Sequence, residues 1–299
     1  MNRSIRLQQI CIALLLSVSC LYWNSVTAAP ATKHTSATKR ALIIGIFPRR
    51  NFSDTMKSFT PLAEYLSSRL GRAVKLETSN EFATFWEQVE KGRYDLVHYN
   101  QYEYVMTHKK PGYEVIAKNE EFGESTIAGS LIVRNDSGIH SIHDLKGKKI
   151  LFGGGPMAMQ SYITATWLLH KGGLHKGDYI EEFAKNPPNA ILAVYFKQAA
   201  AAGSGDKVLQ LPIVTQNIDS SKLTYLARGK QLAHLPWAVN KHVSVALRLR
   251  LKELLTTLKD NPEGRKVLKA AKLTNLVPAD DHDYDPHRKI IREVLGKHF

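Results

Sequence analysis

Short apolar runs alternate with amphipathic segments along the first part of the chain. Residues 41–47 form an apolar run that predicts a buried strand. Residues 60–71 predict a helix, because Thr60 suits an N-cap, Pro61 suits the first turn and Gly71 suits the C-terminal stop. Further strands are expected at 73–77 and 95–99, and further helices at 81–92 and 101–109. This alternation predicts an α/β domain with a mainly parallel sheet.

A similar alternation follows in the second part of the chain. Its expected strands cover 130–133, the end of 144–152, 207–211 and 235–239, and its expected helices cover 159–171, 190–202, 246–258 and 287–295. The pattern therefore predicts two α/β units of similar size, which the chain length of 299 residues also favours.

The N-terminus has the pattern of a secretory signal peptide. Arg3 and Arg6 precede an apolar run over residues 10–19, and small residues follow up to Val26 and Ala28. The apolar run is shorter than the roughly 20 residues of a membrane-spanning helix. We therefore expect residues 1–28 to be removed after Ala28, and an exported, periplasmic protein to result.

Both cysteines, Cys11 and Cys20, lie within this segment. A mature chain without them has no disulfide, cysteine metal site or thiol nucleophile. Lipid anchoring at Cys20 is an alternative, but Ser17 stands where the usual lipobox has leucine. Residues 29–40 are small, polar and basic, which predicts a flexible leader.

The chain is basic, with a formal net charge of +14 that falls to +12 once Arg3 and Arg6 are removed. A basic balance of this size favours an anionic partner or surface. Export argues against nucleic acid, and no arginine-rich tail or basic motif interleaved with aromatic residues is present. A solvated basic surface remains the alternative interpretation.

A glycine-rich loop is the most informative candidate for chemistry. It follows a predicted strand and opens the predicted helix at 159–171, so it would present backbone N–H groups and a positive dipole end to an anion. Its candidate ligand-binding residues are Gly154, Gly155, Met157, Ala158, Met159, Gln160 and Ser161. The loop matches neither a P-loop nor a dinucleotide fingerprint, and an ordinary flexible turn is the alternative.

Two more loops follow predicted strands and add candidates. Arg49 and Arg50 offer guanidinium forks that suit oxyanions, although two solvated arginines are the alternative. Tyr99, Asn100 and Gln101 lie at the end of the strand predicted at 95–99. Ligands of open α/β sheets bind beyond the carboxyl ends of strands, so the three loops are expected to converge on one ligand.

Other chemistry has little support. The twelve histidines show no metal-ligand spacing, and pairs such as His140 and His143 are interpreted as surface residues. No Gly-x-Ser-x-Gly elbow is present. We therefore expect no catalytic residue, no metal and no cofactor, and a protein that is not an enzyme.

These features together resemble a known family. Residues 45–48, 61–66, 94–97 and 141–148, the glycine loop and residues 235–239 follow in the order seen in the phosphate/phosphite/phosphonate-binding proteins of ABC transporters. The resemblance covers about 41–295. It implies the α/β, two-lobed periplasmic binding protein type II fold, with a ligand cleft between the lobes and hinge closure.

The resemblance also implies boundaries and partners. One lobe would comprise residues 41–136 and 234–299, the other 137–233, joined by crossing strands near 131–136 and 234–240. The implied partners are a small anion and an ABC-transporter permease, and the implied state is a monomer. A periplasmic sensor that signals to a membrane histidine kinase is the alternative function, since it needs the same cleft.

The chain departs from the family pattern at two places. Met157, Ala158 and Met159 stand where family members place a Ser-Thr-Ser run. No acid stands in 197–200, where the family has a carboxylate for a ligand amine. The expected ligand is therefore a compact oxyanion without an amine, such as phosphate, phosphite, a simple phosphonate or an arsenic oxyanion. A different, more apolar ligand is the alternative.

Overall fold

A computed structural model describes residues 40–299. The expected signal peptide, Cys11, Cys20 and almost all of the expected leader lie outside the described residues. The strands are β1 Leu42–Ile46, β2 Val74–Glu77, β3 Leu96–His98, β4 Tyr113–Glu120, β5 Thr126–Ile127, β6 Gly129–Arg134, β7 Lys149–Gly153, β8 Ile180–Ala184, β9 Ala201–Gly205, β10 Leu223–Arg228, β11 Leu232–Ala233, β12 Pro236–Asn240 and β13 Asn275–Pro278.

Helices connect and flank these strands. They are α1 Phe52–Leu70, α2 Phe82–Glu90, α3 Gln101–Thr107, a π-helix Met159–Thr164 that continues into α4 Ala165–Lys171, α5 Pro187–Tyr195, α6 Pro212–Thr215, α7 Val245–Thr256, α8 Pro262–Ala271 and α9 Asp285–Leu295. Within residues 40–299, no helix combines the length and apolar character needed to cross a bilayer.

The strands form two mixed sheets. The first has the order β13-β4-β12-β3-β1-β2, and the second has the order β10-β6-β9-β7-β8. In the first sheet β1 pairs in parallel with β2 and β3, whereas β12 is antiparallel to both β3 and β4. The expectation of mainly parallel sheets is therefore wrong for about half of the pairs. The reason is that β12 returns from the second sheet and so runs opposite to β4, which leads there.

Two segments cross between the sheets. Residues 121–128 lead from β4 to β6, and residues 229–235 lead from β10 back to β12. Within them β5 and β11 pair antiparallel, with Ile127 opposite Leu232. The crossing expected at 131–136 and 234–240 is thus displaced, because 129–134 and 236–240 are strands inside the two sheets. Residues 121–128 and 229–235 are the two crossing segments.

Helix α1 begins eight residues earlier than expected. Asn51 is the N-cap, and its side chain accepts a hydrogen bond from Asp54 N at 2.8 Å. Pro61 therefore lies inside the helix rather than in its first turn. The buried face, which includes Phe59, Leu62 and Leu66, outweighs the hydrogen bond that the proline cannot make.

The expected helix at 190–202 is half wrong. Helix α5 ends at Tyr195, and residues 201–205 form the strand β9, which lies between β6 and β7 in the second sheet. Strand β9 consists of alanine, glycine and serine residues. These small residues let α5 and the π-helical turn pack closely against the strand. The expected strand at 207–211 is also wrong, since residues 208–210 form a short 3-10 turn.

Candidate functional site

The three candidate loops follow the carboxyl ends of strands. In the first sheet β1 and β3 are parallel neighbours, so the loop at 47–51 and residues 99–101 leave the same edge. In the second sheet β7 and β9 are also parallel neighbours, so the glycine loop after Gly153 shares an edge with the end of β9. The loops therefore have the expected positions relative to their sheets.

Arg49, in the loop after β1, forms a bidentate ion pair with Glu121. Its Nη1 and Nη2 atoms donate to Glu121 at 2.6 and 3.3 Å. Burial opposes ionisation of Glu121, but Arg49 and then His234 outweigh it and hold the pKa of Glu121 well below its usual range. The guanidinium that the sequence assigns to a ligand is therefore already neutralised by a carboxylate.

A polar chain extends from this pair to the core. Asn119 donates to Glu121 Oε1 at 3.1 Å and accepts from Trp237 Nε1 at 2.8 Å. The ring of His98 stacks on Trp237 with centroids 4.4 Å apart. This chain anchors Glu121 at the end of β4, where the first crossing segment begins.

Arg50 points elsewhere. Its Nη2 atom donates to the carbonyl oxygen of Ala271, at the end of α8, at 3.3 Å. Arg49 and Arg50 share the wall of a cavity of only about 20 Å³ beneath Phe47. A space of this size holds about one water molecule.

Tyr99 lies inside the protein core. It is completely buried, its hydroxyl group is 3.1 Å from Thr107 Oγ1, and its ring packs against Tyr104 and Tyr113. The structure therefore does not bring the Tyr99 hydroxyl together with the other candidates.

Asn100 and Gln101 begin α3 in different roles. Asn100 is the N-cap, and it forms a capping box with Glu103 through hydrogen bonds of 2.9 and 3.1 Å. Gln101 is fully buried, and its Nε2 atom donates to the carbonyl oxygen of Ala233 in the second crossing segment at 3.1 Å. Gln101 is thus the residue of this loop that contacts the crossing segments.

The glycine loop is partly exposed and strongly turned. Gly154 has a φ of 106°, a conformation that favours glycine, and its N–H donates to Ala184 O at 2.9 Å. Gly155 is exposed, whereas Met157 and Ala158 are half-buried. Only glycine fits at 154 without backbone strain, which gives the loop a structural role in addition to any contact with a ligand.

The helix after this loop opens with a π-helical turn. Met159, Gln160 and Ser161 are all buried there. Gly203 in β9 lets the turn approach closely, because a Cβ atom at this position would lie 2.3 Å from the carbonyl oxygen of Ser161. π-helical turns are frequent at functional sites, and this one lies directly against the central strand of the second sheet.

Several buried side chains in this region have polar atoms without a protein partner. In the part of the chain that the structure describes, these atoms include Gln101 Oε1, both amide atoms of Gln160, Thr164 Oγ1, Ser204 Oγ and His234 Nε2. Buried polar groups are normally hydrogen-bonded. A group of such atoms beside the crossing segments therefore marks a place where a polar ligand can bind.

Contacts place three of these residues beside the crossing segments. A Cβ atom at Gly205 would meet Ile127 at 3.0 Å and Gln160 at 3.9 Å. The Ser204 side chain points to the opposite face of the sheet, because it alternates with Gly203 and Gly205 along β9. His234 N donates to the carbonyl oxygen of Ser125 at 3.1 Å, within the paired crossing strands. Gln101 contacts Ala233, as described above.

His234 presents a defined donor. Its Nδ1 atom accepts a hydrogen bond from Leu235 N at 2.8 Å, so the proton of the neutral ring is on Nε2. Burial lowers the pKa of His234 to about 4, and Arg49 and Lys207 act in the same direction, whereas Glu121 and Asp206 oppose them. The ring is therefore a neutral N–H donor at neutral pH.

Sequence reasoning missed Glu121, Asp206 and His234. Asp206 follows β9 directly, accepts from Ala128 N at 3.0 Å and accepts from Gln231 Nε2 at 2.6 Å. A signal for Asp206 is its position after the small-residue stretch 199–205, but the helix expected at 190–202 covers the first part of that stretch and hides the strand. Among residues 40–299, no group of three or more His, Cys, Asp or Glu side chains could hold a metal ion.

The match to a protein-family model decides the family. Residues 44–284 match the model described as "ABC transporter, phosphonate, periplasmic substrate-binding protein". This chain belongs to that family. The match covers both sheets, both crossing segments and every candidate residue.

Solved structures show the fold of the family. A binding protein of an ABC phosphonate transporter from Pseudomonas aeruginosa is 17% identical, with a TM-score of 0.73 over 85% of this chain and 86% of that chain. PhnD1 from Prochlorococcus marinus, solved with methylphosphonate, is 16% identical, with a TM-score of 0.75 over 86% and 99%. A Xanthomonas citri protein bound to ATP is 16% identical, with a TM-score of 0.71 over 86% and 97%. The chain thus has the expected α/β periplasmic binding protein type II fold.

Proposed function

We propose that this family member captures a compact, amine-free oxyanion between two lobes and delivers it to an ABC-transporter permease. The lobes would comprise residues 41–136 with 234–299, and residues 137–233. They would close about the crossing segments by a hinge motion. The observation that carries the proposal is the presence of buried, unpartnered polar atoms of Gln101, Gln160 and His234 beside those segments.

The chemistry of these atoms suits a phosphorus oxyanion. The Gln160 amide and the Nε2–H group of His234 are neutral donors, and backbone N–H groups at the start of the π-helical turn add to them. Neutral donors in a water-poor site hold an anion without a cationic partner. Phosphate, phosphite and simple phosphonates present several acceptor oxygens, and a relative of this chain was solved with methylphosphonate.

The nearby carboxylates argue against a ligand amine. Glu121 is paired with Arg49, and both oxygens of Asp206 accept hydrogen bonds from the protein. An ammonium group would need one of these carboxylates to give up its partner. The ligand class proposed from the sequence, an oxyanion without an amine, is therefore retained.

Arg49 and Arg50 remain candidates for binding the oxyanion, provided that each gives up its present protein partner. Arg49 could bind the oxyanion only by exchanging its bonds to Glu121 for bonds to the ligand, and Arg50 only by leaving Ala271. The glycine loop at 154–159 and Ser161 would contribute through backbone N–H groups. Replacing Arg49 and Arg50 by alanine without any loss of affinity would remove both from the site.

We also propose that the protein is exported to the periplasm and is a monomer there. Cleavage after Ala28 would release a monomer into the periplasm, with lipid anchoring at Cys20 as the alternative. Membership of a transport family favours delivery to a permease over the sensor function. The N-terminal mass of the exported protein distinguishes cleavage from lipid anchoring.

The experiment is a thermal unfolding series on ligand-stripped protein. The panel contains phosphate, phosphite, methylphosphonate, 2-aminoethylphosphonate, arsenate, arsenite and sulfate. A ligand at 100 times its dissociation constant adds about 2.7 kcal/mol to the free energy of unfolding, which gives a shift of a few degrees. We expect the largest shift from an amine-free phosphorus oxyanion. An unchanged melting temperature with the whole panel would contradict the proposal.

A further inference from the structure

The edge of the first sheet that lies opposite the candidate site collects basic loops. Strands β1, β3 and β4 begin at this edge, and β12 ends there, because Asn240 of β12 pairs with Tyr113 of β4. The loops before β3, before β4 and after β12 therefore share one surface. This surface, formed by residues 91–95, 108–112 and 240–249, is called the basal surface below.

Contacts between the loops confirm that they are neighbours. The Asn240 side chain donates to Gly92 O at 3.4 Å, and Lys241 N donates to Gly112 O at 2.8 Å. A Cβ atom at Gly112 would lie 2.5 Å from Lys241 Cδ, and one at Gly92 would lie 3.4 Å from Pro111. The Lys241 side chain thus lies across the turn that follows Lys110.

Three lysines on the basal surface carry uncompensated charge. Lys109, Lys110 and Lys241 are exposed, and within residues 40–299 none of them forms an ion pair. Two nearby acids, Asp95 and Glu114, already form ion pairs with other residues. Glu90 at the end of α2 is the exposed acid of this edge that has no cationic partner in the described chain.

The occupied acids are Asp95 and Glu114. Asp95 is buried and pairs with Arg40 and with His242, whose Nε2 atom is 2.7 Å away. Glu114 pairs with Arg248. Three lysines face one free carboxylate, so the basal surface has a net positive charge.

An apolar pair adjoins the lysines. Val245 and Leu249 are one turn apart on α7, and they are 61% and 64% exposed. They follow Lys241 by four and eight residues, so the start of α7 adds exposed apolar side chains to the basal surface. Cationic side chains around exposed aliphatic ones are typical of surfaces that bind the interface of a bilayer.

The start of the described chain lies on this surface as well. Arg40 precedes β1 and bonds to Asp95, and its carbonyl oxygen accepts from Arg72. Arg40, the first described residue, therefore belongs to the basal surface. The eleven residues that precede Arg40 from Ala29 include Lys33 and Lys39 and no acid.

We propose that the basal surface binds the anionic phospholipid surface of the membrane that holds the permease. The three lysines supply the attraction to lipid phosphates, and Val245 with Leu249 supplies a shallow apolar contact. Such binding leaves the loops of the candidate site, at the opposite edge, uncovered. The inference concerns a surface that the proposed ligand function does not use, so either can fail alone.

Vesicle cosedimentation tests the proposal with protein purified from the exported fraction. The wild type is expected to sediment with vesicles of phosphatidylglycerol and phosphatidylcholine, and not with phosphatidylcholine alone. Raising NaCl from 50 to 500 mM should release it, because exposed charges are screened within a few ångströms at high salt. The variant K109Q/K110Q/K241Q should lose at least tenfold in partitioning, given about fivefold for each lysine.

A matched variant separates local from total charge. Lys146, Lys148 and Lys185 are exposed in the second half of the chain and form no ion pair within residues 40–299. K146Q/K148Q/K185Q makes the same charge change and should partition nearly as the wild type does. Equal losses in the two triple variants, or no binding to anionic vesicles by the wild type, would overturn the proposal. V245S/L249S should also weaken binding, and an unchanged value would remove the apolar contact from it.

Discussion

Arg49 and Glu121 join the loop after β1 to the point where the chain leaves the first sheet. The guanidinium nitrogens lie 2.6 and 3.3 Å from the two carboxylate oxygens, and Glu121 is almost completely buried. This pair neutralises the arginine that the sequence offers as an anion ligand. It also connects a candidate binding loop to the segment about which the lobes are proposed to move.

The variant E121Q is expected to lower the free energy of unfolding at pH 7 by about 2 kcal/mol. This value lies between the small contribution of exposed ion pairs and the several kcal/mol of fully buried ones, because Arg49 is 32% exposed. Urea unfolding measures the difference. E87Q is the control, since Glu87 pairs with Lys91 on the exposed surface and its loss should change little.

The same pair predicts an acid dependence. Because the pKa of Glu121 is lower in the folded protein than its usual value, its stabilising contribution is present above about pH 4.5. It is lost as the pH falls toward the folded-state pKa. The difference in unfolding free energy between wild type and E121Q should therefore shrink below pH 4. A difference that stays constant between pH 7 and pH 3.5 would show that charge is not its source.

Glu103 predicts the opposite dependence. Burial raises the pKa of Glu103 to about 8, although the Asn100 N–H bond opposes this. The unfolded chain releases this proton near pH 4.5 and the folded chain only near pH 8, so stability falls as the pH rises between those values. E103Q keeps a capping acceptor and should match the wild type at pH 4, below both pKa values. At pH 8 it should be more stable by at least 1 kcal/mol in urea unfolding. A variant that is no more stable at pH 8 than the wild type contradicts the assignment.

His287 is a buried base without a partner within residues 40–299. Its ring stacks on Tyr284, neither ring nitrogen is hydrogen-bonded, and burial lowers its pKa to about 3. Between pH 6.5 and pH 3, His287 is protonated in the unfolded chain and neutral in the folded chain. H287F should therefore gain on the wild type by about 1.4 kcal/mol per pH unit between pH 6 and pH 4. Parallel stability curves for the two proteins would show that His287 is protonated in the folded state.

Gln160 should contribute to ligand affinity and little to the stability of the fold. Q160A removes unpartnered polar atoms, so we expect little loss of stability and at least a tenfold rise in the dissociation constant of the bound oxyanion. Q198A, at an exposed position next to the second sheet, is the matched control. Retained affinity in Q160A would move the ligand away from the crossing segments.

The sequence predicts the elements best where the periodicity is strong. The strands at 42–46 and 96–98 and the helices at 82–90 and 285–295 lie within a few residues of their expected positions. The helix expected at 190–202 includes the alanine-rich residues 199–202, whose composition favours a helix. In the structure β9 is a central strand, and tertiary packing against the π-helical turn overrides that propensity.

The site was less predictable than the fold. The positions of the three loops follow from strand order, but the directions of their side chains do not. Tyr99 lies in the core and Arg49 faces Glu121, a partner 72 residues away that local patterns do not reveal. His234 was missed because its donor depends on one hydrogen bond between Leu235 N and its own Nδ1 atom.

The most direct test of the central claim is calorimetric titration of ligand-stripped protein with methylphosphonate, phosphate, phosphite and 2-aminoethylphosphonate. We expect one binding site that is saturated by at least one of the three amine-free oxyanions, and weaker binding of the aminophosphonate. Q160A should weaken the same titration at least tenfold. Tighter binding of 2-aminoethylphosphonate than of every amine-free oxyanion, or no heat of binding with any of the four, would contradict the account.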